Sequence, residues 1–325
     1  MKNPLAHRGN GAGHPARPLA REIAPGVAWL QLPLVNVFFA GRPGTGPWAL
    51  VDTGMPKSTA KILQAAEDLF GDLPPAAIVL THGHFDHVGS LRQLAEIWDV
   101  PVYAHRLELP YLTGRSSYPP PDPTVGGGAI ATLGSRFFPA SPIDLGDRVQ
   151  ALPTDGEVPG LQGWRWIHTP GHTPGHVSFY RESDGVLIVG DAFVTQKQES
   201  MLGVISHKQG VFRPPAYFTP DWQAARRSVE ELARLRPQVV ATGHGIPMDG
   251  EEMRRQLDDL ADHFGAYMPN DGRYVRQPAL ANETGVVALP PPVADPVPLI
   301  VGLGAAALIG GAILRNRRRQ QERWA

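Results

Sequence analysis

The chain has 325 residues, 42% of them hydrophobic, with 30 Lys+Arg against 31 Asp+Glu and a net charge of -1. That length and apolar content suffice for a buried core, and the balanced charge argues against nucleic acid as a partner. The absence of cysteine excludes disulfides, thiolate catalysis, Cys-ligated zinc and iron–sulfur clusters.

Residues 1–22 carry Gly, Pro, Arg and His without an apolar period and read as a mobile arm. They hold no apolar stretch of the kind a secretory signal needs, and His7 and His14 within them are poor ligand candidates. From Ile23 onward the pattern changes to short β-like runs at Val27–Leu32, Leu34–Ala40 and Trp48–Val51, separated by Gly/Pro turns. Residues 56–70 show helical spacing, with Pro56 suited to the first turn and Gly71 just past the end. Ala77–Leu80 predicts a buried strand, Leu91–Trp98 a helix and Pro101–Ala104 a strand, while 114–142 predicts a long loop. Trp164–His168, Val177–Tyr180 and Val186–Val189 predict three successive strands. Asp221–Arg236 and Asp249–Phe264 predict amphipathic helices flanking a strand at Val239–Thr242. This alternation predicts an α/β fold with helices outside sheets, over a domain spanning 23–287.

Residues 288–298 form a Pro-rich linker. Leu299–Leu314 follows as sixteen residues without a charge, then a tail with five Arg and one Glu. As a helix the apolar run would be about 24 Å long, slightly short of a bilayer core of roughly 30 Å. Gly302, Ala306 and Gly310 recur every fourth residue, a spacing that lets membrane helices approach closely. Residues 299–325 therefore read as a membrane-anchor helix and basic tail, with a helix packed on the domain as the bland alternative. The basic tail favours the cytoplasmic side, which for a single span would put the rest of the chain outside, whereas no signal for export is present. Residues 299–325 lying against the inner surface, with the arginines on anionic lipid, resolve that conflict. The expected arrangement is a cytoplasmic catalytic domain tethered at the membrane, with an exported, membrane-anchored domain as the alternative.

The chemistry centres on Thr81-His82-Gly83-His84-Phe85-Asp86-His87, directly after the predicted strand 77–80. His82 and His84 lie two apart, so in extended backbone both rings point one way and can grip one ion. Asp86 and His87 come after a turn and suit a second ion. Imidazole and carboxylate without sulfur suit zinc and tolerate iron or manganese. Further ligand types stand just past strand ends: His168 to His176 in the run HTPGHTPGH, Asp191 after Gly190, and His244 between Gly243 and Gly245.

The set His82-x-His84-x-Asp86-His87, His172, Asp191 and His244, with Val51-Asp52-Thr53-Gly54 before it, resembles the metallo-β-lactamase superfamily of metallohydrolases over residues 23–268. The resemblance implies an αββα sandwich with a dinuclear site at one edge of the sheets. It implies that His82, His84 and His172 bind one metal, that Asp86, His87 and His244 bind the other, and that Asp191 bridges both. Asp52 is implied to position the metal loop, and His176 to be structural.

The chemistry that follows is a dinuclear zinc hydrolase acting on a small ester, thioester or lactone, an acyl substrate, with a shared water activated by the metals and oriented by Asp86. A β-lactamase proper is disfavoured, because Asp191 stands where those enzymes typically have Cys, Ser or His. Asp there resembles glyoxalase II-like thioesterases and lactonases, although Val194 replaces a Tyr often found in the lactonases. A single-iron persulfide dioxygenase of the same fold is the alternative. A phosphodiesterase and a non-catalytic binding module rank below it, since the body of the chain is acidic and no ligand is missing. Trp164, Trp166, Phe193 and Phe212 are expected around the mouth and His105 in the pocket. His168 is expected to bond at a strand end, His207 and Lys208 to lie in a solvated loop, and His263 on the surface.

Overall fold

The computed structural model describes residues 18–199 and 209–295. One sheet holds β1 (Arg21–Ala24), β2 (Val27–Gln31), β3 (Asn36–Ala40), β4 (Ala49–Val51), β5 (Ala77–Val79), β6 (Val102–Ala104) and β7 (Val149–Ala151), side by side in that order. The other holds β8 (Glu157–Val158), β9 (Leu161–His168), β10 (Val177–Arg181), β11 (Val186–Gly190), β12 (Val239–Thr242) and β13 (Met248–Asp249). Pairing is antiparallel from β1 to β4 and parallel from β4 to β7. In the second sheet only β11 and β12 run parallel. Four longer helices cover the faces: α1 (Thr59–Phe70), α2 (Leu91–Trp98), α3 (Trp222–Arg234) and α4 (Gly250–Asp262).

The period of two along each strand builds the layers. Trp29, Phe38 and Val51 point between the sheets, where they meet Trp164, Phe179 and Ile188 of the facing sheet. Their neighbours Leu30, Phe39 and Leu50 point the other way, onto Ile62 and Ala65 of α1 and Leu91 and Leu94 of α2. On the far side Leu187, Val189 and Val240 meet Val229 and Leu232 of α3 and Met253 and Leu257 of α4. The result is the αββα sandwich. Strands buried on both faces read as continuous apolar runs, which is why Ala77–Val79 and Val186–Val189 stand out in the sequence.

α1 begins at Thr59 rather than Pro56. Lys57 has φ 73, a left-handed backbone that cannot continue into a right-handed helix, so residues 56–58 form a turn. Arg21 and Glu22, expected in the arm, pair in β1 opposite Trp29 and Ala28. The stretch 114–142 contains short helical turns at Pro123–Val125, Ala129–Thr132 and Gly134–Phe137. A small hairpin, β14 (Leu280–Asn282) and β15 (Gly285–Ala288), precedes the Pro-rich stretch. Within that stretch Pro290 accepts a hydrogen bond from Arg273 Nε at 2.8 Å, and Asp295 pairs with Arg136. Among the described residues no helix is long and apolar enough to cross a membrane. The apolar run 299–314 with its basic tail, residues 1–17, and His207 and Lys208 lie outside the described residues.

Candidate metal centre

The chemistry-bearing side chains converge at one edge of the sandwich. Asp52 follows β4, the His82–His87 loop follows β5, Asp191 follows β11 and His244 follows β12, all at the carboxyl ends of parallel strands. His172 lies in the connection between β9 and β10 at the same edge. Such an edge is where open α/β sheets place their ligands. The two sheets are tied together there: Val177 N–H donates to Thr81 O at 2.9 Å and Asn36 N–H to Gly243 O at 2.8 Å.

Ligand-type atoms gather into three overlapping groups within 4.8 Å: His82, His84 and His172; His82, His87 and Asp191; Asp86, His87 and His244. His84 Nδ1 and His172 Nε2 are 2.9 Å apart. Asp191 reaches toward both histidine sets, with Oδ2 3.4 Å from His172 Nε2 and 3.0 Å from His244 Nε2. Its Oδ1 is 3.6 Å from His87 Nε2, and Asp86 Oδ2 is 3.5 Å from His244 Nε2. Gly243 permits this approach, because a Cβ there would come within 2.2 Å of Asp191 Oδ1.

The other nitrogen of several rings is held from behind, which fixes the tautomer and aims the free lone pair inward. His87 Nδ1 donates to Asp52 Oδ2 at 2.8 Å, and His244 Nδ1 donates to the Leu34 carbonyl. Thr81 Oγ1 donates to Asp52 Oδ2 at 2.7 Å and so accepts from His82 Nδ1 at 3.0 Å. Asp52 Oδ1 takes the Thr81 amide at 2.8 Å. One carboxylate thus holds the two ends of the loop, Thr81 and His87. Asp52 itself has φ 61, a conformation costing about 1–2 kcal/mol for a non-glycine residue, which its charge-assisted bonds, worth about 1.5–3 kcal/mol apiece, outweigh.

His176 is occupied differently. Its Nδ1 meets Thr169 Oγ1 at 2.8 Å and its Nε2 accepts the Asp191 amide at 2.8 Å. It therefore holds the backbone of Asp191. Gly190, at φ 63, is the residue that admits the ring, since a Cβ would lie 2.6 Å from His176 Nε2.

Electrostatics divide the site in two. Burial, reinforced by neighbouring imidazoles, drives the His82 and His172 pKa values well below 6.5 and that of His84 to about 3. These rings are neutral at physiological pH, as ligands must be. Burial also opposes charge on His87 and His244, but Asp191 and further carboxylates outweigh it and raise both pKa values. Burial would raise Asp191, yet His244 and His87 hold it well below the ordinary carboxylate value. A site whose carboxylates draw in positive charge suits cations. His82 Nε2, His87 Nε2 and Asp191 Oδ1 are buried with no hydrogen-bond partner among the described residues, so this donor set fits metal ions.

A family model described as the metallo-beta-lactamase superfamily matches residues 32–244. The chain belongs to the metallo-β-lactamase superfamily. The probable metallo-hydrolase YflN of Bacillus subtilis (strain 168) is 46% identical over 265 residues, 81% of this chain and 97% of that protein. The hydroxyacylglutathione hydrolase GloC of Haemophilus influenzae is 31% identical over 152 residues, 44% of this chain and 59% of that one. A crystal structure of a beta-lactamase domain protein from Burkholderia ambifaria shares the fold, with a TM-score of 0.53 at 24% identity, covering 78% of this chain and 79% of that one. Family and ligand groups together support a metallo-hydrolase.

In this superfamily member a cavity of about 300 Å³ opens onto His84, Asp86, His172, Asp191 and His244. The expected aromatics are not its walls. Trp164 is buried between the sheets, Trp166 packs against that core and donates Nε1 to Pro153 O, and Phe193 is fully buried under the helices. Phe212 pairs with Val194, and none of the four lines the cavity. Phe85, Phe138, Tyr217 and Phe218 do, with ring centroids of Phe138 and Phe218 5.9 Å apart. His105 is absent from the lining as well. It stacks on His168 at 4.2 Å, and His168 Nε2 meets the Pro174 carbonyl at 2.9 Å. His263 is exposed on its helix end.

Sequence reasoning missed Glu108. This fully buried carboxylate takes Gly83 N–H at 2.9 Å and the Tyr118 hydroxyl on one oxygen, and Thr173 Oγ1 and Gly175 N–H, both at 2.8 Å, on the other. It fastens the His82–His84 segment to the His172 loop. Burial raises its pKa, and the four hydrogen bonds oppose that rise. Glu108→Gln puts an NH2 group against a backbone N–H, that of Gly83 or of Gly175, a mismatch costing about 1–3 kcal/mol, and forces the neighbouring hydroxyl to turn from donor to acceptor. The expected outcome is a lower Tm and metal affinity weakened by roughly 10–100-fold, read by thermal melting and metal titration of the same preparation. An unchanged metal affinity would show that Glu108 only stabilises the fold.

Proposed function

We propose that the protein is a dinuclear zinc hydrolase acting on a small ester, thioester or lactone. The observation that carries this reading is Asp191, whose Oδ2 lies between His172 and His244 and whose Oδ1 faces His87, on the floor of an apolar cavity. His82, His84 and His172 would hold one ion, and Asp86, His87 and His244 the second. When bound, such a pair supplies an activated water and an electrophile for the carbonyl oxygen. Asp86, 3.5 Å from His244 and lining the cavity, would orient that water and hold its proton. Phe85, Phe138 and Phe218 exclude solvent and receive the acyl group. Among the described residues no Lys or Arg lines the cavity, which speaks against a phosphodiester. The similarity to a hydroxyacylglutathione hydrolase supports an acyl substrate.

Elemental analysis of full-length protein purified without chelator should find about two zinc ions per chain, since seven ligands exceed the four of one tetrahedral ion. A panel of thioesters, esters, lactones, phosphodiesters and persulfides should show turnover in the acyl classes, lost on chelation. One iron per chain with oxygen uptake on a persulfide would replace this reading with the dioxygenase.

A further inference from the structure

The cavity wall opposite in character to the metal floor is built from Ile130, Phe138, Pro215 and Phe218. Two polar side chains outside the ligand set join it, Tyr217 and Gln198. Gln198 lines the cavity and is 6% exposed, and its Nε2 has no hydrogen-bond partner among the described residues. Its position is fixed by its neighbour. The Glu199 carbonyl accepts the amides of Ile130 at 3.2 Å and Ala131 at 3.4 Å, and the Glu199 carboxylate pairs with Arg213 and takes the Ala216 amide at 3.1 Å. Gln198 thus belongs to a wall stitched through Glu199 to the 130–131 and 213–216 segments, which supply Ile130 and Pro215 of the same lining. A buried N–H2 without an acceptor is costly, and a ligand that supplies one recovers that cost.

We propose that Gln198 is a specificity residue whose amide donates to an acceptor oxygen, a keto or amide carbonyl, carried by the substrate's acyl group away from the carbonyl that reacts. The cavity has room for roughly ten water-sized groups, which suits an aryl or branched acyl group bearing one such oxygen. The proposal deepens the hydrolase reading and rests on it only in calling the ligand a substrate. A polar group in an apolar pocket discriminates sharply against analogues that leave it unpaired.

The test uses full-length, zinc-loaded protein and two carboxylic acids that differ by one carbonyl, 4-oxo-4-phenylbutanoate and 4-phenylbutanoate, titrated by calorimetry. The keto acid should bind at least about tenfold more tightly. Gln198→Met, similar in length but without the donor, should narrow that ratio to about twofold by the same reasoning. Equal binding by the wild type, no binding of either acid, or an undiminished ratio in Gln198→Met each overturns the proposal. If the variant does not fold, the wild-type ratio decides alone. The matching thioesters separate the two readings. Hydrolysis of neither, with the binding ratio intact, removes the hydrolase and keeps the Gln198 site. Equal hydrolysis and equal binding of both does the reverse.

Discussion

Asp191→Ala should abolish hydrolysis, with kcat/KM falling by roughly a thousandfold or more, the scale on which a group acting on developing charge in a water-excluded site is missed. The reason is geometric. Asp191 is the carboxylate within 3.6 Å of His87, His172 and His244 together, so no neighbour can substitute for it. The fold should survive. Asp191 lies past the end of β11, at the sheet edge, and the bond that its backbone N–H gives to His176 persists in alanine. Breaking a buried charged group away from its partners costs about 3–5 kcal/mol when the partners stay charged. Here the partners are imidazoles of His87, His172 and His244, which can be neutral, so no permanent charge is stranded and the loss is limited. Circular dichroism should therefore report a native spectrum from a protein that no longer turns over substrate. A variant that kept most of its activity would remove the dinuclear mechanism.

The strands and helices legible in the sequence are those with enough residues to display a period. α2 at Leu91–Trp98 and β12 at Val239–Thr242 coincide with their apolar patterns, because one helical stripe or one doubly buried run decides each. β7, β8 and β13 have two or three residues each, with burial broken by exposed positions, and no pattern that short can be told from a loop. The ligand-type residues were legible for another reason. Unusual side chains stand directly past apolar strands, so each one carries its own local signal. The cavity is not local. Phe85, Phe138 and Phe218 come from segments far apart in the chain and meet only in the folded protein, whereas the tryptophans of β9 follow strand alternation into the core between the sheets. Glu108 is invisible for the same reason: two of its four donors lie more than sixty residues away.

His172 and His176 stand four residues apart with the same chemistry, and replacing each by alanine should separate them cleanly. His172 Nε2 lies 2.9 Å from His84 Nδ1 and 3.4 Å from Asp191 Oδ2, in the group where ligand atoms converge. His172→Ala should therefore lose bound metal and activity together, by more than the roughly 10–100-fold typical of residues that merely support a ligand. His176 has both nitrogens committed, one to the Thr169 hydroxyl and one to the Asp191 amide. His176→Ala leaves those two partners buried and unpaired, a cost of about 1–3 kcal/mol, or about 2–4 °C in Tm per kcal/mol for a domain of this size. Metal should stay bound, with activity reduced through a less firmly held Asp191. Zinc content, Tm and kcat/KM measured on both variants give the ranking. Should His176→Ala be the one that loses its metal while His172→Ala only melts earlier, the ligand set has shifted by one turn of the loop, and His176 rather than Asp191's neighbour His172 would complete the site with His82 and His84.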